Sequence, residues 1–114
     1  MEIEEVRHYA LSLPQATEEP HFAANSFRIR GKIFATVPPE GGLLHVFVDE
    51  QQREQAITTY PEFCEKLWWG KKVAGVRVLL PQADPAEVKD LLLVAWKRKA
   101  PKKLVTSLDC TEKD

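Results

Sequence analysis

Lys97-Arg98-Lys99-Ala100-Pro101-Lys102-Lys103 places five bases in seven residues. Clustered Lys and Arg at a helix end suit a phosphate-binding surface, because each cation displaces counterions condensed on a nucleic-acid backbone. Lys71, Lys72 and Arg77 could extend such a patch. So could Arg28, Arg30 and Lys32, which ring a tight turn at Arg30-Gly31-Lys32 and would suit a wing entering a groove. Each group also has a plainer reading. Cations suit a helix C-terminus because of the macrodipole, and a Glu-rich first helix could absorb their charge. Arg28 and Arg30 alternate with Phe27 and Ile29, as on any half-buried strand.

Trp68-Trp69 precede Gly70-Lys71-Lys72. An aromatic pair with a basic flank is the arrangement on which single-stranded nucleic acid stacks. An exposed Trp also suits a protein contact. Strand alternation predicts that the two rings point to opposite faces, one into the core and one into solvent.

The remaining chemistry-bearing residues do not converge in sequence. His8, His21 and His45 with Glu18 and Glu19 show neither His-x-x-x-His nor Cys-x-x-Cys spacing, so no metal is expected. Cys64 and His45 could form a nucleophile–base pair, but no orienting acid or oxyanion-type loop accompanies them. Gly41-Gly42 lacks the Lys-Ser/Thr of a phosphate loop and reads as a turn. Glu4-Glu5 and Glu18-Glu19 are sequence neighbours, which diverge on a helix. No catalytic centre and no cofactor are expected.

At 114 residues the chain is long enough to bury one core, and 44% apolar with 29% charged residues is ordinary for a soluble domain. No apolar run approaches the ~20 residues of a membrane helix, and the acidic start Met1-Glu2-Ile3-Glu4-Glu5 resembles no signal or transit peptide. Cys110 lies in a polar tail, so Cys64 and Cys110 point away from a structural disulfide and toward a reducing cytoplasm. The net charge of −1 hides an asymmetry: residues 1–65 carry −6, residues 66–108 carry +7 and the last six carry −2.

These residues must be positioned by a short series of elements. Ile3, Val6, Ala10 and Leu13 mark an amphipathic helix ended by Pro14. Residues 14–25 read as a loop. Residues 26–48 read as a three-strand meander, with Gly31 supplying the positive φ of a tight hairpin and Pro38-Pro39-Glu40-Gly41-Gly42 a longer connection. Asp49 caps a helix from Glu50 to Tyr60 with Ala56, Ile57 and Tyr60 inward. Residues 63–69 and 73–80 form two further strands. Asp84-Pro85-Ala86-Glu87 opens a helix that runs to about Lys99, with Val88, Leu91, Leu92, Ala95 and Trp96 inward. Lys102 to Leu108 form a short last helix, and residues 109–114 a flexible tail. The predicted fold is two-layer α+β, α-βββ-α-ββ-α, one domain over residues 1–108. Its five-stranded antiparallel sheet carries helices on one face and is partly open on the other. Ile3, Val6, Ala10, Ile29, Ile33, Val78, Leu91 and Leu92 should be buried.

Several blocks together resemble the MmcQ/YjbR-like family of small bacterial proteins: Val6-Arg7-His8-Tyr9-Ala10-Leu11-Ser12-Leu13-Pro14, Ala16-Thr17-Glu18-Glu19, Phe27-Arg28-Ile29-Arg30-Gly31-Lys32-Ile33-Phe34-Ala35, Trp68-Trp69-Gly70, and the stretch from Ala95 to Val105. Many relatives have Gly where this chain has Gln15. The resemblance implies a fold similar to the type III secretion chaperones and carries the family's DNA-binding, "double-wing" label; no catalytic motif comes with it. The expected function is therefore a small, cytoplasmic, non-enzymatic binding domain that contacts DNA weakly through its phosphates. The alternatives are a protein-interaction or chaperone-like module using the open sheet face, and a small-molecule pocket between sheet and helices. The oligomeric state is not legible.

Overall fold

In the computed structural model the backbone is described for residues 1–113 and side chains for residues 1–107. The first helix, α1 (Ile3–Ser12), is opened by a capping box: the carboxylates of Glu2 and Glu5 each accept from the other's end of the first turn. Val6 and Ala10 form its buried stripe, and Leu13 follows it into the core. Beyond Pro14, Gln15 takes φ +57°, a left-handed conformation that glycine adopts without strain.

Gln15 turns the chain directly into a strand, β1 (Ala16–His21), where the residue pattern predicts a loop. The sheet thus has six strands rather than five, and the order is α-ββββ-α-ββ-α-α. Thr17-Glu18-Glu19-Pro20 escapes recognition because β1 is an edge strand, where charge and proline are tolerated and even protective. Arg7 of α1 pairs with Glu18 at 2.9 Å and with Glu4, so the acidic first helix is already engaged.

β1 pairs with β2 (Ala24–Ile29), which turns through Arg30 and Gly31, both at positive φ, into β3 (Lys32–Val37). β4 (Leu43–Val46) follows, then α2 (Glu50–Thr59), whose Asp49 carboxylate accepts from the Gln52 amide at 2.9 Å. The chain then passes to the far edge as β5 (Cys64–Trp69) and returns as β6 (Lys72–Leu79), giving the antiparallel order β1-β2-β3-β4-β6-β5. A 3-10 turn (Leu80–Gln82) leads to α3 (Pro85–Lys99), capped by Asp84 on the Ala86 amide. The last helix, α4 (Lys102–Lys113), extends past Leu108. The tail expected over residues 109–114 lies outside the residues whose side chains are described.

One cluster joins Phe27, Ile29, Phe34, Leu44, Val46, Val76 and Val78 of the sheet to Val6, Ala56, Val88, Leu92 and Trp96 of the helices. Trp96 is fully buried and its indole Nε1 donates to the Pro14 carbonyl at 3.1 Å, tying α3 to the end of α1. Six of the eight residues expected inside are buried; Ile3 and Ile33 are only half-buried. Ile3 is the first residue of its helix. Ile33 is displaced by a bulge: Phe27 opposes Ala35 and Arg28 opposes Ile33, so Phe34 is the extra residue and enters the core while Ile33 turns to the other face.

Candidate functional site

A second bulge, at Leu67/Trp68 against β6, leaves Ala74 unpaired beside Gly75. β3 and β4 meet over Ala35↔Val46 and Thr36↔His45, with a further bond from the Phe47 amide to the Phe34 carbonyl, and then separate toward the start of β3. The two irregularities open a cavity of ≈ 350 Å³. Its apolar wall is Ile33, Phe47, Trp69 and Ala74, and its polar rim is His21 and Thr36 with Arg98 and Lys99 from the end of α3.

The rim is basic. Burial, then Arg98, then Lys32 hold the Lys99 ammonium below its ordinary proton affinity. Lys99 is therefore close enough to Arg98 and to Lys32 to be repelled by each, and none of the three makes an ion pair among the described residues. Lys71 and Lys72 are exposed on the turn that follows Trp69, and Lys72 is the strand partner of Trp69. Lys102 and Lys103 are exposed at the start of α4, beyond the break at Ala100-Pro101 that ends α3 at Lys99.

The other bases named from sequence go elsewhere. Lys97 lines a separate groove between α2 and α3, beside Glu87 and Asp90. Arg28 lies along the sheet, its Nε donating to Ser26 Oγ at 2.9 Å. Arg30 Nε donates to Gln15 Oε1 at 3.1 Å. Arg77 is paired with Glu65 at 2.7 Å. Of the hairpin bases only Lys32 faces the Arg98–Lys99 end of α3, so Arg28, Arg30 and Lys32 do not act as one wing.

Neither Trp68 nor Trp69 enters the core. They are 59% and 58% exposed, against the expectation of one buried ring. The cause is their position at the end of an edge strand, beyond the bulge. Trp69 packs edge-to-face against Phe47, with ring centroids 6.0 Å apart. Phe47 was not legible as a site residue: in Leu44-His45-Val46-Phe47 it has the alternation of any strand.

Cys64 and His45 do not meet. Cys64 opposes Val78 and is buried in the core, whereas His45 opposes Arg77 and Thr36 on the other face. Burial pushes the Cys64 thiol up to about 11, with Glu62 and Glu87 adding to the shift. Iodoacetamide should therefore modify Cys64 far more slowly in the native protein than in urea. Peptide mapping separates it from Cys110, and native labelling at the rate of a free thiol would contradict this placement.

His45 Nε2 is buried without a hydrogen-bond partner among the described residues. Burial, followed by the charge of Arg77, lowers its proton affinity, and Glu40 opposes weakly. The unfolded chain then binds a proton near the ordinary value of about 6.5 that the folded chain refuses. Stability should be unaffected by His45 above that pH and fall as pH drops below it. Melting at about pH 7.5 and about pH 5.5, either side of that value, should show a smaller acid loss in His45→Phe than in wild type. Equal losses would contradict the assignment.

A protein-family model described as YjbR matches residues 11–98. The chain belongs to the YjbR family. The match takes in β1 to β6 and most of α3, including every wall residue of the cavity and Arg98, and stops before Lys99. The fold is also similar to the crystal structure of Deinococcus radiodurans protein DR2400, described there as a family-model domain DUF419. The TM-score is 0.74 at 18% identity, over 95% of this chain and 88% of that one. No curated protein matches the chain. Among the described residues no YjbR-fold helix here is long and apolar enough to cross a membrane, and no three His, Cys, Asp or Glu side chains group as metal ligands.

Proposed function

We propose that this YjbR-family domain is a cytoplasmic, non-enzymatic module that binds DNA weakly through its phosphates, with Lys32, Arg98 and Lys99 at the centre of the contact. The observation that carries this reading is the placement of Arg98 and Lys99 together on the cavity, with Lys32 close to Lys99 and no ion pair to any of the three among the described residues. Structural lysines and arginines are placed against carboxylates, as Arg7, Arg53 and Arg77 are here. A cluster left uncompensated gains most from an anion arriving from outside. Lys71 and Lys72, next to Trp69 in the chain, and Lys102 and Lys103, just after Lys99, are exposed and would add phosphate contacts. Phosphate contacts carry no sequence information, so little preference is expected, with Kd on the order of 10⁻⁴–10⁻⁶ M at physiological salt. The acidic first turn of α1, with Glu4 and Glu5, repels DNA from its own side, so this binding is one-faced.

Fluorescence anisotropy of a labelled duplex tests it. Lys32/Arg98/Lys99→Ala should lose binding, and Lys97→Ala, in the separate groove, should retain it. Equal binding by wild type and the triple variant would overturn the reading. The second reading, a protein-interaction module, is favoured by Trp68: it is as exposed as Trp69 but does not line the cavity. It takes the lead if wild type binds no DNA at low salt.

A further inference from the structure

We infer that the cavity at the open end of β3 and β4 receives one unpaired nucleotide, its base against Trp69 and its phosphate at Arg98 and Lys99, so that the preferred ligand is a single strand. This rests on the nucleic-acid reading above and narrows it.

Trp69 is the first reason. The residue is more than half exposed, yet its ring has a neighbour: Phe47 packs against it at an interplanar angle of 70°. A packed but uncovered ring is a platform that loses little freedom when a second ring lies on it. The walls continue the same chemistry. Ile33 and Ala74 are apolar: the bulge at Phe34 turns Ile33, still paired with Arg28, to the cavity, and the second bulge leaves Ala74 unpaired there. Bulges that re-aim side chains in this way are common beside functional sites.

The rim supplies the other half of a nucleotide's chemistry. Arg98 is exposed and Lys99 half-buried, both on the cavity and both on the last turn of α3. The helix C-terminus tolerates them, but it does not cancel the burial and repulsion at Lys99. A phosphate at that point offsets the repulsion and gives the partly buried ammonium an anionic partner in place of water. His21 and Thr36 stand on the same cavity and offer hydrogen-bonding groups to the edge of a base. An aromatic side chain from a protein partner would use the ring and leave the cations unanswered.

A paired, stacked base cannot present its face to Trp69. Entry from a duplex requires flipping, at a cost of a few kcal/mol, whereas an unpaired base enters freely. Lys32, Lys71 and Lys72 flank the site, where the neighbouring phosphates of a strand would pass. A free nucleotide shares the base and phosphate but lacks those neighbours.

The test is anisotropy with four probes: a labelled oligothymidylate of about ten nucleotides, within the range of single-strand binders, an abasic oligomer of that length, the matching duplex, and thymidine monophosphate as competitor. The thymidylate strand should bind more tightly than the abasic strand or the duplex, and the monophosphate should compete poorly. Trp69→Ala should weaken binding of the thymidylate strand about 5- to 150-fold and leave the abasic strand unchanged. Trp69→Phe should recover part of the loss, and Trp68→Ala should bind as wild type. Equal binding of thymidylate and abasic strands, with no effect of Trp69→Ala, overturns the inference and leaves phosphate-directed binding intact. A monophosphate that binds as tightly as the strand overturns the single-strand assignment. Absence of binding to any nucleic acid overturns both readings.

Discussion

Gly75→Ala should cost the domain at least about 3 kcal/mol, at or beyond the upper end of ordinary overpacking, and lower its melting temperature by about 10 °C or more. A Cβ at Gly75 would fall inside the van der Waals shell of the Val46 carbonyl oxygen and 3.0 Å from Phe47 Cα. Neither obstacle is the far end of a flexible side chain. Val46 is held by Ala35 on one side and Val76 on the other, and the Phe47 amide is bonded to Phe34, so β4 cannot withdraw without breaking the centre of the sheet. Glycine is therefore required here by close backbone approach, not by a positive φ. Since folded domains are stable by only about 5–15 kcal/mol, the variant should be poorly folded at 37 °C. Urea or thermal unfolding followed by circular dichroism measures it. A change below about 1 kcal/mol, the centre of ordinary point substitutions, would mean that β4 and β6 do not approach as described.

Nothing in the sequence around Gly75 announces that constraint, because the obstacle comes from a strand some thirty positions away. The local signals were legible where the chemistry is local. Asp49 and Asp84 cap the helices that their types and spacing imply, and Arg30-Gly31 makes the hairpin. Val88, Leu91, Leu92, Ala95 and Trp96 face inward as their spacing predicts. What failed was whatever depended on the sheet as a whole. β1 is polar because it is an edge, and edge status is a property of topology. Strict alternation puts Ile33 and one of the two Trp rings in the core, and each bulge breaks that alternation by one residue.

The same division holds for the basic residues. Their types and clustering point to residues 66–108, but only the fold decides which are spent on internal partners. Lys97 and Arg98 are adjacent, yet a helix turns neighbours about 100° apart, so one faces the groove with Glu87 and Asp90 and the other the cavity. Arg28 and Arg30 are held by Ser26 and Gln15, residues with no obvious claim on them in sequence.

The salt dependence of DNA binding examines the central claim most directly, because it counts phosphates. Each phosphate neutralised contributes about −0.9 to the slope of log K against log salt. Engagement of about four phosphates by Lys32, Arg98, Lys99 and the β5–β6 turn predicts a slope of about −3.6, or about a 150-fold loss of affinity between 50 and 200 mM salt. Removing three of those contacts in Lys32/Arg98/Lys99→Ala should flatten the slope to about −1 and reduce binding beyond detection at physiological salt. Lys97→Ala should keep the wild-type slope. Duplex anisotropy titrated across that salt range on the three proteins is the measurement. A wild-type slope near −3.6 that collapses only in the triple variant is the predicted result, and a slope that is near zero, or equal in all three proteins, would contradict phosphate binding at this site.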